Sequence, residues 1–357
     1  MRSEPRHALI DALKAIISQI IVLHHLAFYG PMSDYAAPLA PELFAWLSQY
    51  ARVAVQTFLV VGGFLAAQSL ARDGTLVARP LGQLLGKRFL KLVPPYLAAL
   101  ALALVGAAIA RQLMAHDSIP EAPSLGQLLT HLVLLHGHFG FDGLSAGVWY
   151  IGIDFQLYAL LCLTLWLAAR AAHLPAQAAR LGRALVMALL AASLFVFNRD
   201  PSLDNWAIYF VGAYGLGAMA YWGVRPGRVS PEFLLAVAIA VAALALDFRS
   251  RIAMALVVAL LLALSRFQPR LAAWPSSSLI GWLGKVSYSV FLVHFPVCLV
   301  VNGVFERFVP HTPWLQLLGI VLAWGASLAV GALFHRHVEL ATQGWWRSPR
   351  ATPNPAR

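Results

Sequence analysis

Long apolar runs, separated by short polar segments, repeat along the whole chain. Runs of this length favour helices that cross a bilayer, because about 20 apolar residues span its hydrocarbon core. Counting runs bounded by charged residues, Pro or Gly predicts ten spans, over residues 10–30, 50–71, 92–111, 149–169, 184–198, 205–222, 231–247, 252–265, 280–303 and 314–335. The pattern therefore predicts an all-α, polytopic integral membrane helix bundle with about ten transmembrane helices.

The composition supports a membrane protein. The chain is 60% hydrophobic and only 11% charged, whereas a soluble domain carries about 25% charged residues. The first apolar run is too long for a secretory signal peptide and is interrupted by charges. Cys162 and Cys298 both lie in apolar runs, so neither a disulfide framework nor a thiolate metal site is indicated.

The distribution of cations predicts the orientation of the bundle. With the N-terminus inside, eighteen of the 26 Lys and Arg residues fall in inner segments and six in outer segments, while Lys14 and Lys285 lie within spans near the inner face. Lys and Arg favour cytoplasmic loops, so we expect both termini in the cytoplasm. The net charge of +11 then reflects topology and anionic membrane lipids rather than nucleic acid.

The spans predict one transmembrane domain over residues 1–340, with neither a repeat nor a fused soluble domain. Residues 341–357 form a short cytoplasmic tail, in which Trp345 and Trp346 precede a Pro- and Arg-rich end. We interpret the two Trp residues as an interfacial anchor and the end as disordered. The composition favours a bacterial inner membrane.

Residues 112–148 do not fit a simple loop. The apolar run 128–135 is too short to span a bilayer, which favours a re-entrant or interfacial helix on the outer side. His131, His136 and His138 could hold a metal ion, but only Asp142 lies nearby as a further ligand. We therefore expect no metal, and a wet, partly ordered outer loop that shapes access to the site.

The first span carries ionisable residues, which are costly inside a bilayer and by default indicate function. Lys14 and His25 are eleven residues apart, about 20° from a whole number of turns, so they share a helix face and stand about 16 Å apart along the axis. His25 then lies in the outer half of the membrane, where an imidazole can act as a general base toward a hydroxyl. Alternatively, His25 is a buried structural histidine and Lys14 reaches the inner headgroups. His24 points about 100° away, so one of the two histidines is expected to be structural.

The third and fourth spans carry further candidates. Arg88 and Lys91 lie at the start of the third span, where they could bind phosphate near the positive end of the helix dipole or be ordinary cytoplasmic loop charges. Asp154 and Tyr158 share a face in the outer part of the fourth span. Asp154 could orient an imidazole, or these groups could make interhelical hydrogen bonds.

The ninth and second spans carry the remaining motifs. In SYSVFLVHFP, Pro296 is expected to kink the helix near the polar His294. Gly62 and Gly63 lie in mid-membrane in the second span, where small residues allow either close helix packing or room for a ligand chain.

Taken together and in order, five motifs resemble membrane-bound acyltransferase family 3, the transmembrane O-acyltransferases. They are a basic residue and a histidine with ten positions between them (Lys14 and His25), the end of TFLVVGGFLAA (Gly63 and Phe64), two basic residues before a proline (Arg88, Lys91 and Pro94), an aromatic-to-acidic segment (Trp149, Asp154, Gln156 and Tyr158), and SYSVFLVHFP. The resemblance covers residues 6 to about 340.

The chain departs from the family pattern at four positions. Lys14 and Lys91 stand where Arg is commoner, Phe155 stands where a second acidic residue is usual, and Gly62 stands where Ser is usual. Lys keeps the charge of Arg but lacks the planar guanidinium that binds phosphate with two hydrogen bonds.

The resemblance implies transfer of an acyl group, most simply acetyl, from cytoplasmic acyl-coenzyme A to a hydroxyl of an envelope or lipid-linked glycan. It implies that His25 is the base, that Asp154 orients it or balances its charge, and that Tyr158 or His294 supports the oxyanion. The donor's phosphates would meet Arg88 and Lys91, with Lys14 on the polar line above them. A covalent acyl-histidine stays open as an alternative.

A transporter or exporter of a small molecule or glycan precursor is the competing hypothesis. Ten spans with a few intramembrane charges are also typical of transporters. However, the two halves of the chain lack a matching pair of interrupted helices, which favours the enzyme.

Overall fold

The computed structural model describes residues 7–275 and 277–345 and is almost entirely helical. Ten long helices follow one another, one for each predicted span, and we number them α1 (Ala8–Phe28), α2 (Val55–Leu70), α3 (Leu81–Leu113), α4 (Val148–Ala171), α5 (Pro175–Phe195), α6 (Ala207–Gly223), α7 (Pro231–Leu246), α8 (Ser250–Phe267), α9 (Ser278–Phe308) and α10 (Pro313–Phe334). Within the described ranges, eight helical segments are long and apolar enough to cross a bilayer. The shorter α6 and α7 have 17 and 16 residues. The prediction of an all-α polytopic membrane bundle is confirmed.

Short elements connect the long helices. The α-helical ones are Met32–Ala36, Pro41–Gln49, Leu125–Leu132, Pro269–Ala272 and Leu340–Thr342, and the 3₁₀ turns are Ala37–Leu39, Ala51–Ala54, His136–Phe139, Phe197–Arg199, Pro201–Leu203 and Gln343–Trp345. A π-helical turn, His335–Glu339, extends α10. A small antiparallel hairpin pairs Val224–Arg225 with Arg228–Val229. Most of the predicted tail, residues 346–357, lies outside the described residues.

Helix α6 forms the centre of one half of the bundle. It is apolar on all sides and almost every residue is buried, as expected of a helix surrounded by others. It packs against α2 so closely that a Cβ at Gly63 would strike the backbone oxygen of Tyr214, and one at Gly217 would strike that of Val60. Gly63 therefore serves close packing, one of the two roles expected for the glycine pair.

Helix α9 organises the other half, where it packs against α1, α3 and α10. A Cβ at Gly284 of α9 would strike the backbone oxygen of Asp11 in α1, so the two helices touch along their inner ends. At their outer ends, the Asn302 side chain accepts a hydrogen bond from the Met32 backbone N–H at 2.9 Å. These contacts hold α1 and α9 side by side over their length.

Helix α3 begins eleven residues before the predicted third span. The predicted start at residue 92 marked the end of the charged stretch, but the helix begins at Leu81 and places Pro94 and Pro95 in its interior. The expectation that Arg88 and Lys91 lie at a positive helix end is therefore wrong, because the dipole acts within the first turn. The segment before residue 92 carries apolar residues at helical spacing among its charges, so the helix continues beyond the apolar run.

Candidate active site

Two cavities open within the bundle, and each has a volume of about 280 Å³. We call the face at which α1 begins the inner face, following the predicted orientation. The inner cavity is lined by the charged candidates Lys14, Arg88, Lys91 and Asp154, and also by Lys285 and Glu339. The outer cavity is lined by polar groups that include His24, His25, Arg52, Gln56 and Arg251.

One aromatic side chain, Phe291 of α9, lines both cavities. Its ring lies 6.2 Å from that of Phe58 and 5.6 Å from that of Tyr150, and these two rings also contact each other at 5.9 Å between centroids. We call these three residues the aromatic partition. A Cβ at Gly147 would meet the Phe291 ring at 2.6 Å, so the ring needs a glycine there.

His25 of α1 meets His294 of α9 beside this partition. Their Nδ1 and Nε2 atoms are 2.6 Å apart, and the ring planes are within 8° of parallel. His294 is buried, whereas His25 is half-buried and lines the outer cavity. The structure thus joins two candidates that the sequence places in different spans.

The hydrogen bonds assign the proton positions of this pair. The Nδ1 atom of His294 lies 2.7 Å from the Phe291 carbonyl oxygen, which can only accept, so Nδ1 carries the hydrogen. A neutral His294 then accepts at Nε2, and the Nδ1–H of His25 is the donor. His25 is left with an unprotonated Nε2, which is the form a general base requires.

The same assignment corrects one expectation about His294. Support of an oxyanion needs a hydrogen-bond donor. However, the single N–H of a neutral His294 already binds the Phe291 carbonyl, while its other nitrogen accepts from His25. His294 is therefore a positioning residue for His25, because its acceptor fixes the tautomer and orientation of that ring.

Asp154 does not face His25 but pairs with Arg88. The Arg88 Nη2 atom donates to Asp154 at 2.5 Å, and the Asp154 side chain is only 7% exposed. The guanidinium also lies 5.0 Å from the centre of the Tyr158 ring, and Tyr158 lines neither of the two cavities. Asp154 therefore contacts Arg88 in place of the expected His25, and Tyr158 lies against the same guanidinium, outside both cavities.

This pairing also changes the expected roles and depths of the charges. The sequence placed Arg88 at the cytoplasmic surface and Asp154 in the outer part of the membrane, but the long inner extension of α3 brings them to one level. Since Asp154 largely compensates its charge, Arg88 is less available for phosphate than expected. The shared face of Asp154 and Tyr158 is found as predicted, and both side chains point at Arg88.

The inner cavity is nevertheless cationic. Its lining holds Arg88 and three lysines against the carboxylates of Asp154 and Glu339. Lys14 also pairs with Asp11, one turn away on α1, at 3.2 Å. On helix α1, Lys14 lines the inner cavity and His25 lines the outer one.

Residues 7–346 match the sequence profile of the acyltransferase domain of family 3. The chain belongs to acyltransferase family 3. The match includes all ten long helices and both cavities, so the enzyme is an integral membrane acyltransferase. No curated protein and no solved structure matches the chain.

The outer-loop histidines of this acyltransferase hold the loop together. His131 is buried, accepts from the Leu144 backbone N–H at Nε2 and donates from Nδ1 to the Gln127 carbonyl. Its ring stacks on His136 at 4.0 Å, and burial, with smaller effects of the neighbouring histidines, lowers the pKa of His136 to about 4. Hydrogen bonds and stacking thus connect the two ends of the loop. In the described part of the chain, no three His, Cys, Asp or Glu side chains come together as a metal site.

Two further polar candidates have structural partners. The His24 Nδ1 atom lies 2.7 Å from the Leu47 carbonyl and ties α1 to the helix Pro41–Gln49. The Gln156 side chain accepts from the Ala207 backbone N–H at 3.1 Å, which satisfies a free donor in the first turn of α6. His24 is thus the histidine of the adjacent pair with a clear structural role.

Several residues that line the cavities were not indicated by the sequence pattern. Phe291 was hidden in an apolar run, although it lies one turn before His294 on the same helix. Glu339 follows the last predicted span, yet it accepts from Ser289 at 2.6 Å and lies 2.9 Å from the Nδ1 atom of His335. The π-helical turn brings it there, and such turns are common at functional sites.

Proposed function

We propose that this family 3 acyltransferase moves an acyl group, in the first instance acetyl, from cytoplasmic acyl-coenzyme A to a hydroxyl of an extracytoplasmic glycan. The observation that supports this most is the 2.6 Å contact of His25 Nδ1 with His294, which leaves Nε2 of His25 to act as a base. The His25 side chain lines the outer cavity, beside an aromatic ring that also lines the inner cavity. This arrangement suits a donor and an acceptor that arrive from opposite faces. The membrane that we propose is a bacterial inner membrane.

The charges of the inner cavity support a phosphorylated donor. Coenzyme A carries several phosphates, which lysine and arginine side chains bind well. Lys14, Lys91 and Lys285 line the cavity together with Arg88. We assign the lysines to the donor's phosphates, and Arg88 chiefly to its ion pair with Asp154.

The donor's arm would carry the acyl group up to the aromatic partition. Gly62 leaves room on this path, because a Cβ there would come within 3.2 Å of the Tyr214 ring and 3.6 Å of Asp154. The partition then lies between the thioester and His25. A displacement of the Phe291 ring would open a direct route between the cavities.

The transfer itself uses His25 as base. Its Nε2 takes the proton of the acceptor hydroxyl as that oxygen attacks the thioester carbonyl carbon. A C–O bond forms and the C–S bond breaks, and the imidazolium returns the proton to the coenzyme A thiolate. During the reaction His294 accepts from Nδ1–H of His25 and keeps the ring in place.

A hydroxyl group of the partition is available for the developing oxyanion. Tyr150 lines the inner cavity and packs against Phe291. Its O–H can donate to the thioester carbonyl oxygen, and a donor of this kind contributes about 100-fold or more to the rate. We assign this role to Tyr150 in place of Tyr158 and His294.

The proposal is tested with purified protein in nanodiscs, labelled acetyl-coenzyme A as donor and a mixture of acidic and neutral oligosaccharides as acceptors. We expect His25→Ala to lower the rate of thioester loss by about 100- to 10,000-fold, while His173→Ala, an exposed histidine outside both cavities, keeps the wild-type rate. Combined Lys91→Gln and Lys285→Gln should weaken donor binding, with Lys87→Gln as the control on the same helix. A wild-type rate in His25→Ala would overturn the proposed mechanism.

A further inference from the structure

The outer cavity is lined by two arginines from separate elements. Arg52 belongs to the 3₁₀ turn Ala51–Ala54 before α2, and Arg251 belongs to the first turn of α8. Both line the same cavity as His25. One carboxylate, that of Asp204, lines it as well, so the lining carries an excess of positive charge.

Neither guanidinium is neutralised by an ion pair. Across residues 7–275 and 277–345, no carboxylate lies within 4.0 Å of Arg52 or Arg251. Arg251 donates to the Tyr209 hydroxyl at 3.0 Å, which is a neutral acceptor. By contrast, the outer arginines Arg199 and Arg249 pair with Asp247 at 3.4 and 3.5 Å.

The placement of these charges is unusual for the outer side of this chain. Only six of its 26 Lys and Arg residues fall in predicted outer segments, in line with the preference of cations for cytoplasmic loops. Two of those six line the cavity that contains His25. A guanidinium forms its strongest hydrogen bonds with carboxylates and phosphates, which it binds with two parallel N–H groups.

An aromatic ring stands in the same wall. Trp149 lines the cavity and stacks on Phe210 at 5.7 Å, yet its side chain is 38% exposed. The Trp149 indole is positioned by its stacking on Phe210 and keeps an exposed surface, so it can pack against the apolar face of a sugar ring. Gln56 and Asn205, in the same lining, add neutral hydrogen-bonding groups for hydroxyls.

We propose that the outer cavity binds an anionic acceptor, a glycan whose carboxylate or phosphate is held by Arg52 and Arg251 while its free hydroxyl reaches Nε2 of His25. This inference rests on the proposed function and narrows its acceptor class. Neutral glycans lack the group that the two guanidiniums bind, so they occupy the cavity more weakly.

The test measures binding of defined probes to the whole protein in nanodiscs of zwitterionic lipid, which removes anionic headgroups as competitors. The probes are tri-galacturonate, mannose 6-phosphate and a neutral trisaccharide of galactose. We expect wild type to bind at least one acidic probe about tenfold or more tightly than the neutral one, with an affinity that falls as salt rises. The double variant Arg52→Gln, Arg251→Gln should lose this preference, and Arg251→Lys should keep part of it.

Arg199→Gln is the matched control, because Arg199 lies on the outer side but does not line the cavity. It should keep the full preference. Equal binding of acidic and neutral probes by wild type, or binding of no acidic probe, would overturn the inference. The inference would also be overturned if the double variant kept the preference for acidic probes. Binding of acidic probes that appears only after anionic lipid is added would overturn it as well.

A parallel assay separates this failure from failure of the proposed function. Thioester loss from labelled acetyl-coenzyme A is followed in the same nanodiscs for wild type and His25→Ala. If the loss depends on His25 but acidic probes are not preferred, only the acceptor class is wrong. If the loss does not depend on His25, the proposed function fails as well.

Discussion

His25 and His294 share a 2.6 Å hydrogen bond, although 269 residues separate them in the chain. The bond forms because α1 and α9 pack side by side, and because the other His294 nitrogen, Nδ1, donates its hydrogen bond to the Phe291 carbonyl. The pair therefore has one defined tautomer, which leaves Nε2 of His25 to act as a base.

Replacing His294 should reveal its positioning role. In His294→Gln, the side-chain oxygen can still accept from Nδ1–H of His25, so we expect partial activity. In His294→Leu, no acceptor remains, the ring loses its preferred tautomer, and we expect a loss of about 100-fold in kcat with little change in KM. Transfer rates measured as a function of pH should also show a different profile for the Leu variant.

A structural role alone would give another pattern. In that case both His294 variants would lose activity in proportion to their loss of folded protein, and the pH profile of the remaining activity would match wild type. Thermal unfolding in nanodiscs supplies the control for the amount of folded protein.

The general fold followed from the sequence, because long apolar runs have few alternatives inside a bilayer. All ten predicted spans correspond to helices. The ends of the helices were less predictable. Helix α3 begins at Leu81 and not at residue 92, because the amphipathic stretch before the apolar run is also helical.

The site was predictable only in part. Helical spacing alone placed Lys14 and His25 on one face, and each lines a cavity. Spacing within single helices does not determine contacts between helices. The sequence therefore directed Asp154 to His25 although it pairs with Arg88, and it did not indicate that His294 contacts His25. The sequence did not distinguish Arg52 and Arg251 from the other outer arginines. Their distances to carboxylates, which only the structure provides, show that these two lack an ion pair within the described part of the chain.

The ion pair of Arg88 and Asp154 gives a prediction about stability. Asp154→Asn leaves a half-buried guanidinium without its counter-charge, so we expect a loss of about 3–5 kcal/mol in the free energy of unfolding. The double variant Arg88→Gln, Asp154→Asn removes both charges and should recover part of that loss. Denaturation of wild type and the two variants in matched micelles measures both effects.

The same variants separate two roles of Asp154. If the carboxylate acts only on Arg88, the folded fraction of Asp154→Asn should show the wild-type pH profile of transfer. A shifted profile would mean that Asp154 influences His25, as its place in the sequence had suggested.

The glycine pair of α2 gives a comparison between neighbouring residues. In Gly63→Ala the new Cβ would strike the Tyr214 backbone oxygen, which cannot move without separating α2 from α6, so we expect little folded protein. In Gly62→Ala the nearest atom is Tyr214 Cε2 at 3.2 Å, so we expect a folded protein. Size-exclusion elution and thermal unfolding of the two variants check this difference, and equal stability would contradict the close packing of α2 on α6.

Phe291 gives a prediction about donor choice. The rings of the aromatic partition pack against one another and Phe291 lines both cavities, so we expect the partition to limit the length of the acyl group that reaches His25. We expect Phe291→Ala to raise kcat/KM for butyryl- and hexanoyl-coenzyme A relative to acetyl-coenzyme A by about tenfold. Phe58→Leu, which trims the partition less, should give a smaller change in the same direction. An unchanged order of donors in Phe291→Ala would remove the partition from the path of the acyl group.

The central claim is that the enzyme, with His25 as general base, transfers an acyl group from a donor on one side of the membrane to an acceptor hydroxyl on the other. The most direct measurement encloses labelled acetyl-coenzyme A in proteoliposomes, with a mixture of acidic and neutral oligosaccharides outside, and follows labelled ester in the external solution. We expect external ester to form with wild type and His173→Ala, and to fall by at least 100-fold with His25→Ala. Equal external ester with His25→Ala, or donor consumed while all label stays inside, would contradict the account.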